Sequence, residues 1–205
     1  EYRSVAQGIG VGLVVLLLAV PGYLYYQQQQ QEVANEKLGQ ILPVYEQQNY
    51  QRALEGSGEQ AGLVAIAREY SGTEAGNLAA FYAGNALYQQ GEYDRALSYF
   101  QQFEKARTFI GASAYAAQAA IQENKGNFAR AGALYEQAAD QYDNKLTAPR
   151  YLLSAGQAYE EAGQYADAVT LYERIQEDYP ESSQASEAER YHARAKVRQG
   201  SAAAS

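Results

Sequence analysis

The feature that most restricts what this chain can fold into is an internal repeat of about 35 residues. The segments GNALYQQGEYDRALSYFQQF (Gly84 to Phe103), AAIQENKGNFARAGALYEQA (Ala119 to Ala138) and GQAYEEAGQYADAVTLYERI (Gly156 to Ile175) follow one pattern. Each begins with a small residue (Gly84, Ala119, Gly156), has a glycine seven residues on (Gly91, Gly126, Gly163), and an aromatic two beyond that (Tyr93, Phe128, Tyr165). An alanine follows after three residues (Ala96, Ala131, Ala168), and a second aromatic after four more (Phe100, Tyr135, Tyr172). Two antiparallel helices joined at the glycine account for the series, because glycine reaches positive φ at a helix C-terminus without steric penalty. Small residues then sit where helices cross, and the second-helix residues share one face. Leucine at Gly156 or Ala168 should overpack the crossing by about 1–3 kcal/mol.

This small, glycine, aromatic, alanine, aromatic series resembles the tetratricopeptide repeat, and Pro180 in EDYPES matches the proline that closes a repeat. The leading tryptophan of the family is absent, and Gln122 stands where an aromatic is usual. The resemblance implies an all-α fold, an α-α superhelical solenoid, with repeats at 76–108, 109–145 and 146–181. Residues 41–75 form a degenerate unit: Asn49 to Ala53 match the turn and second helix before GSGEQAG interrupts them. A capping helix is expected over 182–199, ended by Gly200, with a disordered tail over 200–205.

Ahead of the repeats, Ser4 to Gln31 carry no charge, and Gly8 to Tyr26 read GIGVGLVVLLLAVPGYLYY. Such a stretch rises roughly 28 Å as a helix, against a hydrocarbon core of about 30 Å. A single N-terminal transmembrane helix is therefore expected over 8–26, after a short stub at 1–7. Tyr23, Tyr25 and Tyr26 mark the headgroup boundary and Gln27 to Gln31 the exit into water. A cleavable signal peptide is the rival reading, but Ala19 to Tyr23 offer no good small-x-small cleavage site. Gly8 and Gly12 form a small-xxx-small pair that would admit a neighbouring membrane helix. A stalk over 27–40 leads into a first helix with an expected kink at Pro43. Arg3 and Lys37 flank the span evenly, so charge leaves the orientation open.

Net charge is -8, and the basic residues are scattered apart from Arg190, Arg194, Lys196 and Arg198, which argues against nucleic acid as a partner. Those four fall in the final turns of the expected capping helix, where cations offset the dipole. With no cysteine, disulfides and thiolate metal sites are excluded. No methionine occurs, so the numbered chain is expected to begin inside a longer encoded protein or after processing. The one histidine, His192, lies among charged residues, and acidic pairs such as Glu160-Glu161 point in different directions on a helix. No phosphate-binding loop, dinucleotide fingerprint or nucleophile elbow occurs. The chain is read as no enzyme, with no cofactor or metal.

Tetratricopeptide arrays bind segments of other proteins along the face of their first helices. Carried over by position, that face comprises Phe81, Asn85, Tyr88 and Gln89, then Ala116, Ala120, Glu123 and Asn124, then Arg150, Leu153, Gln157 and Glu160. The layout of span, stalk, degenerate unit and repeats is similar to membrane-anchored tetratricopeptide proteins of Bacteroidota type, and through them to the YfgM family of ancillary translocon subunits. That resemblance implies a bacterial inner-membrane protein with a cytoplasmic N-terminus and periplasmic repeats. Its partners would be the SecYEG translocon, periplasmic chaperones or exported chains. The alternative is a structural accessory subunit of another large membrane complex, docked through the span.

Overall fold

A computed structural model describes the backbone of residues 2–203 and the side chains of residues 19–202. The helices are α1 (Tyr2–Glu46), α2 (Tyr50–Glu55), α3 (Leu63–Glu69), α4 (Glu74–Gln89), α5 (Tyr93–Gln102), α6 (Phe109–Asn124), α7 (Phe128–Gln141), α8 (Ala148–Glu161), α9 (Tyr165–Asp178) and α10 (Ala185–Ala203). Two short strands, β1 (Gly56–Ser57) and β2 (Gln60–Ala61), lie between α2 and α3. The chain divides into two compact units between Ala86 and Leu87, inside α4.

In the first unit, α1 is helical without a break, with Pro21 and Pro43 inside it. The stalk and the first repeat helix are thus one element. Ala34, Leu38 and Ile41 are buried at spacings of four and three, the stripe a helix needs to pack on one side. They pack with buried Ala53 and Leu54 of α2 and Leu63, Ile66 and Ala67 of α3. Tyr45 lies edge-on to Tyr50 at 5.6 Å and to Tyr82 at 5.0 Å between ring centroids, and burial pushes its phenol up. The backbone N–H of Glu74 donates to Gln31 Oε1 at 2.8 Å, which caps α4 with a side chain of α1.

The interrupting GSGEQAG is an antiparallel hairpin, the one departure from all-α among the described residues. Gly56 has φ 79°, and a Cβ there would meet the Gln60 carbonyl oxygen at 2.2 Å, so this turn excludes any other residue. Gln60 Nε2 donates to the Gln40 carbonyl at 2.7 Å, pinning the hairpin to α1.

In the second unit, α6 packs on α7, α7 on α8, α8 on α9 and α9 on α10. Gly91, Gly126 and Gly163 have φ of 78°, 74° and 74°. At each, the glycine N–H bonds the carbonyl three residues back, and the next N–H bonds the carbonyl five back, as from Gln164 to Tyr159 at 2.8 Å. This pair of hydrogen bonds satisfies the last carbonyls of the first helix. The core gathers Leu152, Ala155, Ala168, Leu171, Tyr172 and Ile175 with Ala188 and Ala195 of α10. At Gly156 a Cβ would stand 2.4 Å from Tyr172 Cε1, the close crossing that the small residue permits.

Two expectations are corrected. The terminal helix does not stop at Gly200 but runs from Ala185 to Ala203, since one glycine costs a helix only about 1 kcal/mol. Its last turn holds no basic residue, so Arg194, Lys196 and Arg198 do not serve the dipole. They bind carboxylates instead: Arg194 and Arg198 reach Glu160, and Lys196 reaches Glu173.

No helix among the described residues is long and apolar enough to cross a membrane. Most of the expected span 8–26, with Gly8 and Gly12, lies outside the residues whose side chains are described.

Candidate protein-binding face

The first unit contributes Phe81 and Asn85, both half-buried. The Phe81 ring lies edge-on to Tyr82 at 5.8 Å, and Asn85 Nδ2 donates to the Phe81 carbonyl within the helix. Tyr88 and Gln89, on the same helix, belong to the second unit; Tyr88 lies 5.4 Å from Tyr93, and Gln89 is exposed.

On α6, Ala116 and Ala120 are half-buried one turn apart, a small-residue stripe that admits a close backbone. Glu123 is not free on this face, because it accepts the Tyr135 hydroxyl of α7 at 2.9 Å. Burial and that hydrogen bond push the Tyr135 phenol well above its ordinary value. Asn124 is exposed and donates to the Ala120 carbonyl at 2.9 Å.

On α8, the expected stripe runs Arg150, Leu153, Gln157 and Glu160, and the structure opens only part of it. Arg150 is exposed, its guanidinium 5.5 Å above the Tyr151 ring, and Gln157 is half-buried. Leu153 belongs to the core at 7% exposure. The Glu160 side chain is 1% exposed and accepts the Tyr172 hydroxyl at 2.8 Å and Arg194 Nε and Nη2 at 3.0 and 2.8 Å. Its reach is toward α9 and α10, because a buried carboxylate needs every lone pair engaged. The hydrogen bond with Glu160 raises the Arg194 guanidinium above its ordinary value. Leu153 and Glu160 are therefore packing residues, not positions open to a ligand.

Carboxylates held by tyrosines recur through the unit. Tyr159 donates to Glu136 at 3.4 Å and Tyr179 to Asp143, and burial above all, with these acceptors, pushes each phenol up to about 12. His192 bonds Glu173 at 2.9 Å, and with Lys196 it holds the exposed Glu173 carboxyl below the usual range. Among the described residues no group of three or more His, Cys, Asp or Glu side chains could hold a metal ion.

Where Gln122 replaces an aromatic, the side chain is 4% exposed and its Oε1 accepts Asn127 Nδ2 at 2.9 Å across the turn. The shorter side chain borders an open hollow of about 580 Å³ between that turn and the end of α8.

The sequence reading did not single out the tyrosine-carboxylate pairs. The signal was present, since Glu123 to Tyr135 and Glu160 to Tyr172 share a spacing of twelve residues in successive repeats.

Two sequence profiles described as the tetratricopeptide repeat match the chain, one over residues 61–109 and 81–145, the other over 150–182. Together they cover more than half of it, and the chain belongs to the tetratricopeptide repeat proteins. Comparison with curated proteins finds no match. Repeats of this class make protein partners the expected ligands.

Proposed function

We propose that this chain is a membrane-anchored adaptor that binds other proteins through its repeats and catalyses no reaction. The repeats carry the binding half of this reading. The anchor is supported by Tyr23, Leu24, Tyr25 and Tyr26, which are 60%, 58%, 65% and 59% exposed. Four consecutive helical residues point about 100° apart, so their rings and chains face nearly every direction. A single partner helix would cover one side; an apolar medium on all sides suits them better. Gln27 to Gln29, also exposed, begin the polar stretch, and Gln27 and Gln29 bond the Tyr23 and Tyr25 hydroxyls at 2.8 and 3.0 Å.

By its resemblance to the YfgM family, the finer proposal is an inner-membrane protein with periplasmic repeats, linking the SecYEG translocon with chaperones or exported chains. A spacer subunit docked through its span into another membrane complex is the second reading, favoured by the unbroken α1. Photo-reactive residues at Tyr88 and Ala120 should crosslink to exported proteins or chaperones in cells, and purification in mild detergent should recover translocon components. Crosslinks only from Gly8 and Gly12 to one fixed neighbour would instead establish the spacer.

A further inference from the structure

The turn between α6 and α7 differs from the two turns equivalent to it. α5 carries Asp94 and α9 carries Asp167 in the first turn of the helix, whereas the 14-residue α7 has no acidic residue there. Its N-cap residue, Asn127, gives the helix no side-chain hydrogen bond; its Nδ2 donates to Gln122 Oε1 at 2.9 Å instead. The first N–H of α7 to reach a backbone carbonyl is that of Ala131, on Asn127 at 3.0 Å. The N–H groups of Phe128, Ala129 and Arg130 before it leave the positive end of the helix unsatisfied.

Those three residues line the open hollow of about 580 Å³, with Gln122 at the end of α6 and Glu161 at the end of α8. Gln122 supplies an independent sign of a ligand. It is 4% exposed, its Oε1 is engaged by Asn127, and among the described residues its Nε2 has no acceptor. A donor so buried ordinarily has a partner. The equivalent positions of the other two repeats hold Leu87, which has no side-chain donor, and Tyr159, whose hydroxyl is accepted by Glu136. Arg130 is exposed and forms no ion pair among the described residues, while Lys125 of the same turn is taken by Asp94. Glu161, also exposed, is the one carboxylate on the lining among the described residues.

We infer that the N-terminus of α7, with Gln122 and Arg130, binds a phosphate monoester. Free N–H groups at a helix start favour a phosphate, and its three terminal oxygens can share the backbone, amide and guanidinium donors. The hollow exceeds the size of a bare phosphate, and the half-buried Phe128 gives the organic body an apolar wall. A small free ester and a lipid headgroup present the same group.

The test is isothermal titration calorimetry on the full chain in detergent micelles, with glycerol 3-phosphate, dihexanoyl phosphatidic acid and succinate. At least one of the two phosphate esters should bind at least about tenfold tighter than succinate, a dianion of two carboxylates. Binding of the free ester alone identifies a small molecule as the source, and binding of phosphatidic acid alone identifies a lipid. Ala129→Asp gives α7 the carboxylate that α5 has at Asp94; it should preserve the melting temperature and weaken binding at least about tenfold. Gln122→Leu should also weaken it. Glu161→Gln removes the opposing charge and should tighten binding, a gain that no folding defect produces. Binding of neither ester, equal binding of succinate, or affinity unchanged by both Ala129→Asp and Glu161→Gln overturns the inference.

Discussion

The Tyr172 hydroxyl donates to Glu160 Oε1 at 2.8 Å, and Tyr135 repeats the bond to Glu123 at 2.9 Å one repeat earlier. In the repeat before that, the same positions hold Phe100 and Tyr88, so the pair is absent there. Glu160 differs from Glu123 in also receiving Arg194, which makes it the buried joint between the last repeat and α10.

Arg194→Ala should loosen that joint. Hydrogen bonds to charged groups contribute about 1.5–3 kcal/mol, and the lower half of that range is expected because Arg194 is 44% exposed and Arg198 stands by at 3.7 Å. Native-state hydrogen exchange should quicken in α10 while α6 and α7 keep their protection, since repeat arrays are held by nearest neighbours. Uniform loss of protection across the unit would contradict this.

Alkaline pH should unfold the second unit. Tyr159 and Tyr179 are raised from 10.0 to about 12 by burial and their carboxylate acceptors, and Tyr135 and Tyr172 are raised further. A raised phenol favours the folded state with its proton on, so this stabilisation is complete below pH 10. It declines as the pH climbs past 10 and is lost as each folded pKa is crossed. Tyrosinate absorbance near 295 nm from these four rings should therefore appear together with loss of helical circular dichroism. Their ionisation near pH 10 with the helices intact would be the wrong sign.

Gly156→Ala should destabilise by about 1–3 kcal/mol, because the new methyl meets Tyr172 Cε1 at 2.4 Å and that ring is tethered by its hydroxyl to Glu160. Gly132→Ala meets the Tyr159 ring at 2.9 Å, and Tyr159 holds its acceptor more loosely at 3.4 Å, so the smaller loss is expected there. Urea melts of the two variants settle the order.

Gln48→Gly should stabilise the first unit. Gln48 has φ 60°, and its N–H bonds the Tyr45 carbonyl while the Asn49 N–H bonds the Val44 carbonyl, the same closure made at Gly91, Gly126 and Gly163. A side chain in this conformation is penalised by roughly 1–2 kcal/mol, partly offset by the freedom glycine has when unfolded, leaving a gain of about 0.5–1 kcal/mol. Thermal unfolding of the full chain should show it, and a lower melting temperature would refute it.

How much of this was legible from the sequence follows the range of each interaction. The helix-turn-helix units were readable because their signals are local: a glycine at positive φ and alanine and aromatic residues one turn apart. The same local logic placed the degenerate turn at Asn49 but passed over Gln48, a residue type that does not advertise a left-handed conformation. On α6 the half-buried Ala116 and Ala120 and the exposed Asn124 lie at the surface, while Glu123 is taken up by Tyr135 of the next helix. The burial of Leu153 and Glu160 was not legible, because it depends on core packing and on Arg194, 34 residues away. The true end of α10 was hidden for a similar reason, since glycine ends a helix only when something else competes for the backbone.

The unbroken run of α1 through Gln27 to Gln31 also fixes an azimuth. A helix advances about 100° and 1.5 Å per residue, so adding or deleting one glutamine would swing the helices packed on Ala34, Leu38 and Ile41 by more than a quarter turn around the axis. The polyglutamine stretch thus works as an angular index as well as a spacer: its residue count, more than its composition, determines which compass direction the first unit confronts.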